Sequence, residues 1–295
     1  MINIPNMHIT PVLTSLCFCA IGLLAGSAGS LFGIGGGIIT VPLLLLFGFS
    51  IKQAIAASCM IMVMIAVSAS VRYLRDELIH IKLALLLEVF FMTGSIIGSH
   101  LVLHTGGTLL RYAFIFFMLM AALRMIIRTL QSLPEIEVPK TRQPINAFAV
   151  KIPEQLIPHF NNPKDLPSDS YLSPKALPTG CAAGLGIGTL SALLGIGGGS
   201  FTVPLLHIVM KIPIRMAVAT SSFMITFTAL PAALLYMLHI PLPYLSVAYV
   251  GVGAIAGGQI GPWLARFISA KWLRILFGIV LIAGALQMIF NRDTP

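Results

Sequence analysis

The sequence predicts an all-α polytopic membrane protein built from two inverted repeats of about five helical segments each, with short broken or re-entrant helices at a glycine-rich phrase. Three observations carry that prediction. Of 295 residues, 57% are hydrophobic and only 9% are charged, against about 25% charged in a soluble domain; that is too few to coat a water-facing surface. The hydrophobic residues gather in ten runs, most near the roughly 20 residues that cross a bilayer as helix. The phrase GIGGG-x-x-TVPLL occurs twice, at 33–44 and 195–206.

The runs fall at 11–32, 38–49, 53–71, 83–103, 109–127, 177–194, 200–210, 214–238, 242–264 and 272–290. Two of them, 38–49 and 200–210, are short, and each follows a GIGGG. The first ten residues hold no lysine or arginine, unlike a cleaved secretory signal, so the first run is expected to stay as a permanent segment. Residues 131–176 are rich in proline, lysine and asparagine and read as a cytoplasmic inter-repeat loop between transmembrane repeats at 1–130 and 177–295. The four cysteines lie in apolar runs and form no secreted disulfide framework.

At an offset of 162, residues 33–37 and 40–44 are identical to 195–199 and 202–206. With one residue inserted, Gly94 and Gly98 align with Gly257 and Gly261. Duplications of this kind build many transporter folds. Charge tests their relative orientation. With the central loop inside, Arg72, Arg75 and Lys82 fall inside, while the matching stretch 239–243 falls outside and has no lysine or arginine. Apart from the seven basic residues from Arg124 to Lys175, eight fall inside and three outside. The bias changes face between the copies, as an inverted repeat requires, and both termini would face outward. The net charge of +9 is spread over these gaps. It forms no basic face with aromatic platforms, so nucleic acid is not an expected partner.

Consecutive glycines break a helix, and a broken backbone is tolerated in hydrocarbon only where protein or water covers it. Thr40 and Thr202 follow the glycines, then Pro42 and Pro204; proline suits the first turn of a new helix. The new helix offers free amides and the positive end of its dipole. Bare Gly35, Gly36, Gly37 and Gly197, Gly198, Gly199 would let a small anion approach them closely, with Ser200 at the second break. The bland alternative is close helix packing, which is the reading for Gly22, Gly26, Gly94, Gly98, Gly257 and Gly261. Ser58, Thr220, Ser221 and Ser222 could donate hydroxyls to an oxyanion or serve helix contacts. Gln259 is a candidate buried amide for the same pocket. Glu88 is the only carboxylate inside an apolar run; it is read as a coupling-proton site or as a carboxyl facing polar neighbours.

Other chemistries fit the residues less well. Neither GIGGG continues into Gly-Lys-Ser/Thr, so this is no nucleotide loop. No aspartate lies in an apolar run and there is no Gly-x-Ser-x-Gly, so an intramembrane hydrolase is the more distant alternative. No cofactor or metal motif is present. At the repeated phrase the chain resembles the TauE/SafE family of sulfite-exporter-like permeases, over roughly 11–130 and 177–291. The family's glycine-proline motif falls on Gly33, Gly35, Gly36, Gly37 and Pro42, and on Gly195, Gly197, Gly198, Gly199 and Pro204. The resemblance implies a bacterial inner-membrane carrier of small anions such as sulfite or sulfonates, with ion-gradient coupling. A carrier of another solute, including a cation, is the alternative.

Overall fold

The computed structural model describes residues 11–131, 176–210 and 212–264, all of whose regular elements are helical. In chain order these are α1 (Pro11–Phe32), α2 (Gly37–Leu46), α3 (Ile51–Arg75), α4 (Ile81–His104), α5 (Gly107–Gln131), α6 (Ala176–Leu194), α7 (Gly199–Pro204), which runs on into a π-helical turn (Leu205–Val209), α8 (Ile214–His239) and α9 (Tyr244–Leu264). Six of them, α1, α3, α4, α6, α8 and α9, are long and apolar enough to span a membrane. The tenth expected segment, 272–290, and the central loop from 132 to 175 lie outside the described residues.

The two short runs are short helices. Ten residues of α2 make about 15 Å of helix, half of a hydrocarbon core about 30 Å thick. Local chemistry sets the ends of the long helices. Ser50 caps α3 with a full capping box: its hydroxyl accepts the Gln53 backbone N–H at 3.4 Å, and the Gln53 side-chain Oε1 accepts the Ser50 N–H at 3.1 Å. At the start of α4, His80 Nδ1 accepts the Leu83 N–H at 3.2 Å. Pro213 precedes α8, with φ −52°.

Between helices in lipid the hydrophobic effect offers no drive, so close approach and internal hydrogen bonds hold the bundle. The small residues supply the approach. A Cβ on Gly22 or Gly26 of α1 would overlap the Val250 or Ala254 carbonyl of α9, and one on Gly257 or Gly261 of α9 would overlap that of Leu23 or Ser27. Gly94 and Gly98 of α4 stand equally close to Leu185 and Thr189 of α6. The packing reading of these glycines is therefore correct. At the centre, α3 is the most buried of the spanning helices. It packs with α8 around Ile55, Ile61, Met62, Ile65, Ile225 and Tyr236, none more than 2% exposed.

Candidate functional site

Both glycine phrases break the chain. Gly33, Gly35 and Gly36, and likewise Gly195, Gly197 and Gly198, have positive φ, the left-handed region that side chains avoid. Gly33 ends α1, and behind it the Ile34 and Gly35 amides both return to the Gly29 carbonyl at 2.9 and 3.3 Å, a helix-terminating turn of the Schellman type. Gly36 (φ 79°) and Gly198 (φ 63°) then stand as N-caps of α2 and α7, and neither helix has a side-chain cap. Thr40 and Thr202 each donate back to the N-cap carbonyl, Gly36 O at 3.1 Å and Gly198 O at 3.0 Å.

The two breaks touch. A Cβ on Gly37 would overlap the Gly195 carbonyl oxygen and stand 2.9 Å from Ile196 Cα; one on Gly199 would overlap the Gly33 carbonyl oxygen and stand 2.7 Å from Ile34 Cα. The carbonyls exposed by the breaks find partners in matched pairs. The Ser58 hydroxyl of α3 donates to Gly195 O at 2.7 Å, and the Ser221 hydroxyl of α8 donates to Gly33 O at 2.9 Å. Tyr73 donates to Ser30 O at 2.7 Å and Tyr236 to Ala192 O at 2.9 Å. Each interruption is thus held by one serine from the opposite half of the chain and one tyrosine from its own, as buried irregular backbone requires.

The paired groups recur at regular spacings. The breaks lie 162 residues apart, whereas Ser58 and Ser221, Tyr73 and Tyr236, and the first residues of α3 and α8 lie 163 apart. The helix after the second break, 199–209, is one residue longer than α2 at 37–46, and it carries the five-residue π turn. Ser58 and Ser221 make the matching bonds, whereas the Thr220 hydroxyl accepts the His80 N–H at 3.0 Å.

Other expected residues are placed differently. Pro42 and Pro204 are sixth in their helices, not in the first turn, so each removes an amide from the helix interior. In the first half the helix continues past the proline; in the second the π turn begins there. Gln259 is exposed, and its amide donates to the Ser68 carbonyl at 2.6 Å and approaches Ser68 Oγ at 3.1 Å. It is not a buried amide beside the breaks, because the apolar surround on α9 gave no clue to which face meets lipid. The hydroxyls of Ser200 and Ser222 are buried and have no hydrogen-bond partner.

Glu88 is 4% exposed, on the face of α4 that meets α8. The Thr228 hydroxyl donates to its Oε1 at 2.6 Å, while Oε2 has no partner. Sequence reasoning did not single out Thr228, Tyr73 or Tyr236. A polar group at a helical interval from the serines was the available signal, but nothing in one sequence pairs residues 43, 44 or 140 apart.

Six apolar spans around two buried, mutually contacting helix breaks define a polytopic membrane transporter. Residues 18–288 match the family described as Sulfite exporter TauE/SafE, and the chain belongs to that family. It is 28% identical over 280 residues to the probable membrane transporter YunE of Bacillus subtilis, covering 92% of this chain and 96% of that one. It is 25% identical over 285 residues to a probable membrane transporter of Methanocaldococcus jannaschii, covering 91% and 93%. The probable membrane transporter MamO of Paramagnetospirillum magneticum is 26% identical over 282 residues, which cover 43% of its length. No solved structure matches the chain significantly.

Proposed function

We propose that this transporter carries a small anion, such as sulfite or a small sulfonate, between two inverted repeats, and that the two breaks are its binding point. The observation that carries the reading is the meeting of two helix N-termini without side-chain caps, at the level where α3 and α8 pass the halfway point of their length. Helix N-termini favour negative charge through their amides and dipoles. In this arrangement the break-to-break contact closes the path, and separating it exposes the first-turn amides of Gly37, Ile38 and Ser200, while those of Thr40 and Thr202 stay bonded to the Gly36 and Gly198 carbonyls. The unpartnered hydroxyls of Ser200 and Ser222 are spare donors for the same anion. Ser58, Ser221, Thr40 and Thr202 act as positioning residues that hold the glycine backbone in its broken form; Pro42 and Pro204 act there too, by withholding an amide.

Glu88 is the proposed coupling group. It joins α4 of the first half to α8 of the second through Thr228, three residues beyond Ile225 at the break, and its free oxygen leaves room for a proton to be exchanged. Its counterpart at the offset of 163 is Gly251, so coupling has one site and not two. The central loop is placed in the cytoplasm and both termini outside, on the charge bias. The experiment is flux of labelled sulfite and of a small alkanesulfonate in proteoliposomes, with and without a pH gradient. Flux that the gradient drives supports the reading; no flux of any small oxyanion rejects it.

A further inference from the structure

At the point where the breaks meet, the atom between them is a sulfur. Met62 is fully buried and is the twelfth of 25 residues in α3. A Cβ on Gly37 would stand 2.7 Å from its Sδ, one on Gly197 2.6 Å, and one on Gly35 3.5 Å. One thioether thus fills the space left by glycines of both interruptions. Ile225, the twelfth residue of α8, lies at the matching position, and its Cγ2 and Cδ1 stand 3.2 and 3.3 Å from the same Gly35 Cβ position. The two break carbonyls at the junction are committed: those of Gly33 and Gly195 accept Ser221 and Ser58. The thioether makes no such bond, and methionine has three rotatable side-chain torsions where isoleucine is branched and stiff.

We propose that Met62 is the movable gate of this carrier and sets the largest anion that passes, with Ile225 as the fixed wall opposite. The proposal rests on the anion-carrier reading above. Swinging Met62 aside costs dispersion contacts but no hydrogen bond, so the gate opens without disturbing the serines that hold the breaks. The gap it leaves is the size of one side chain, which admits a compact oxyanion and obstructs a bulky one.

Two measurements test the gate. In proteoliposomes, wild type, Met62→Ala and Met62→Leu are compared for flux of sulfite and of benzenesulfonate. Met62→Ala is expected to raise the benzenesulfonate-to-sulfite ratio at least tenfold, while Met62→Leu, similar in volume, stays within about twofold of wild type. An unchanged ratio in folded Met62→Ala overturns the gate while leaving anion transport intact. Absence of sulfite flux in wild type rejects the carrier reading, and the gate is then decided by access. A Met62→Cys variant is treated with a membrane-impermeant thiosulfonate and mapped by mass spectrometry against the four native cysteines. Modification from at least one face of the membrane supports a gate that opens to water. No modification from either face means a permanently sealed packing residue and overturns the proposal.

Discussion

Replacing Gly37 by alanine sets two effects of known size against each other. Gly37 is the first residue of α2, and its φ is not in the left-handed region. Helix propensity alone favours alanine there by about 1 kcal/mol. The opposing break decides the outcome. The new methyl group would overlap the Gly195 carbonyl oxygen, with Ile196 Cα at 2.9 Å and Met62 Sδ at 2.7 Å. Carbon–carbon contacts settle at about 3.5–4.0 Å, so Ile196 must retreat by about 0.6 Å or more. The sulfur can swing away cheaply, but the carbonyl and Cα are backbone. Moving them also strains the 2.7 Å bond from Ser58. Overpacking costs about 1–3 kcal/mol, and losing the buried hydrogen bond adds about 1–3 kcal/mol. Gly37→Ala is therefore expected to be net destabilising by about 1–5 kcal/mol despite its better helix propensity. Gly107→Ala is the control, since its nearest contact is a side-chain methyl of Ile51 at 3.7 Å. Thermal unfolding of the purified protein in detergent reads both. A Gly37→Ala variant that melts at or above wild type would refute the contact between the breaks.

Ser58→Ala and Ser221→Ala each leave a buried carbonyl of the opposite break unpaired, and each is expected to cost about 1–3 kcal/mol in the same melting assay. Because both hold one contact region, the double variant is expected to lose less than the sum. Glu88→Gln keeps the shape and the Thr228 contact but cannot release a proton; sulfite flux is expected to persist down a concentration gradient and to lose its response to a pH gradient. His80, at the turn before α4, is held below its ordinary value of 6.5, first by burial and then by the nearby Lys82 charge. A depressed histidine contributes stability above pH 6.5 that is lost as pH falls through its folded value, because protonated Nδ1 can no longer accept Leu83 N–H. Melting temperature is expected to drop on acidification below about pH 6.5, and His80→Asn is expected to flatten that dependence. Single cysteines at Glu77 and His239, both exposed, are expected to be labelled from the cytoplasmic and the outer face respectively; labelling from one shared face would contradict the inverted arrangement.

The places where the chain breaks were legible because glycine runs and a following helix-starting phrase act locally. The packing roles of Gly22, Gly26, Gly94 and Gly98 were legible for the same reason: small residues four apart share one helix face. What was not legible depends on pairing across the fold. The change of spacing from 162 to 163 was visible, but not the π turn that follows Pro204. Ser58 and Ser221 read as free hydroxyl donors, and the structure gives them to carbonyls 137 and 188 residues away. Gln259 was misplaced because a helix that is apolar all round carries no amphipathic signal to separate lipid from neighbour. Proline position slipped by a turn because the left-handed glycines let α2 begin directly at the last glycine of the phrase.

In the proposed mechanism, main-chain amides at the two breaks hold the transported anion. Hydrogen–deuterium exchange of the detergent-purified protein, with and without sulfite, reads those amides directly. Slower exchange confined to peptides covering 36–42 and 198–204, at sulfite concentrations that support flux, is the predicted result. Sulfite that is carried yet leaves both peptides unchanged, or protects only the segment around 94–104, would contradict it.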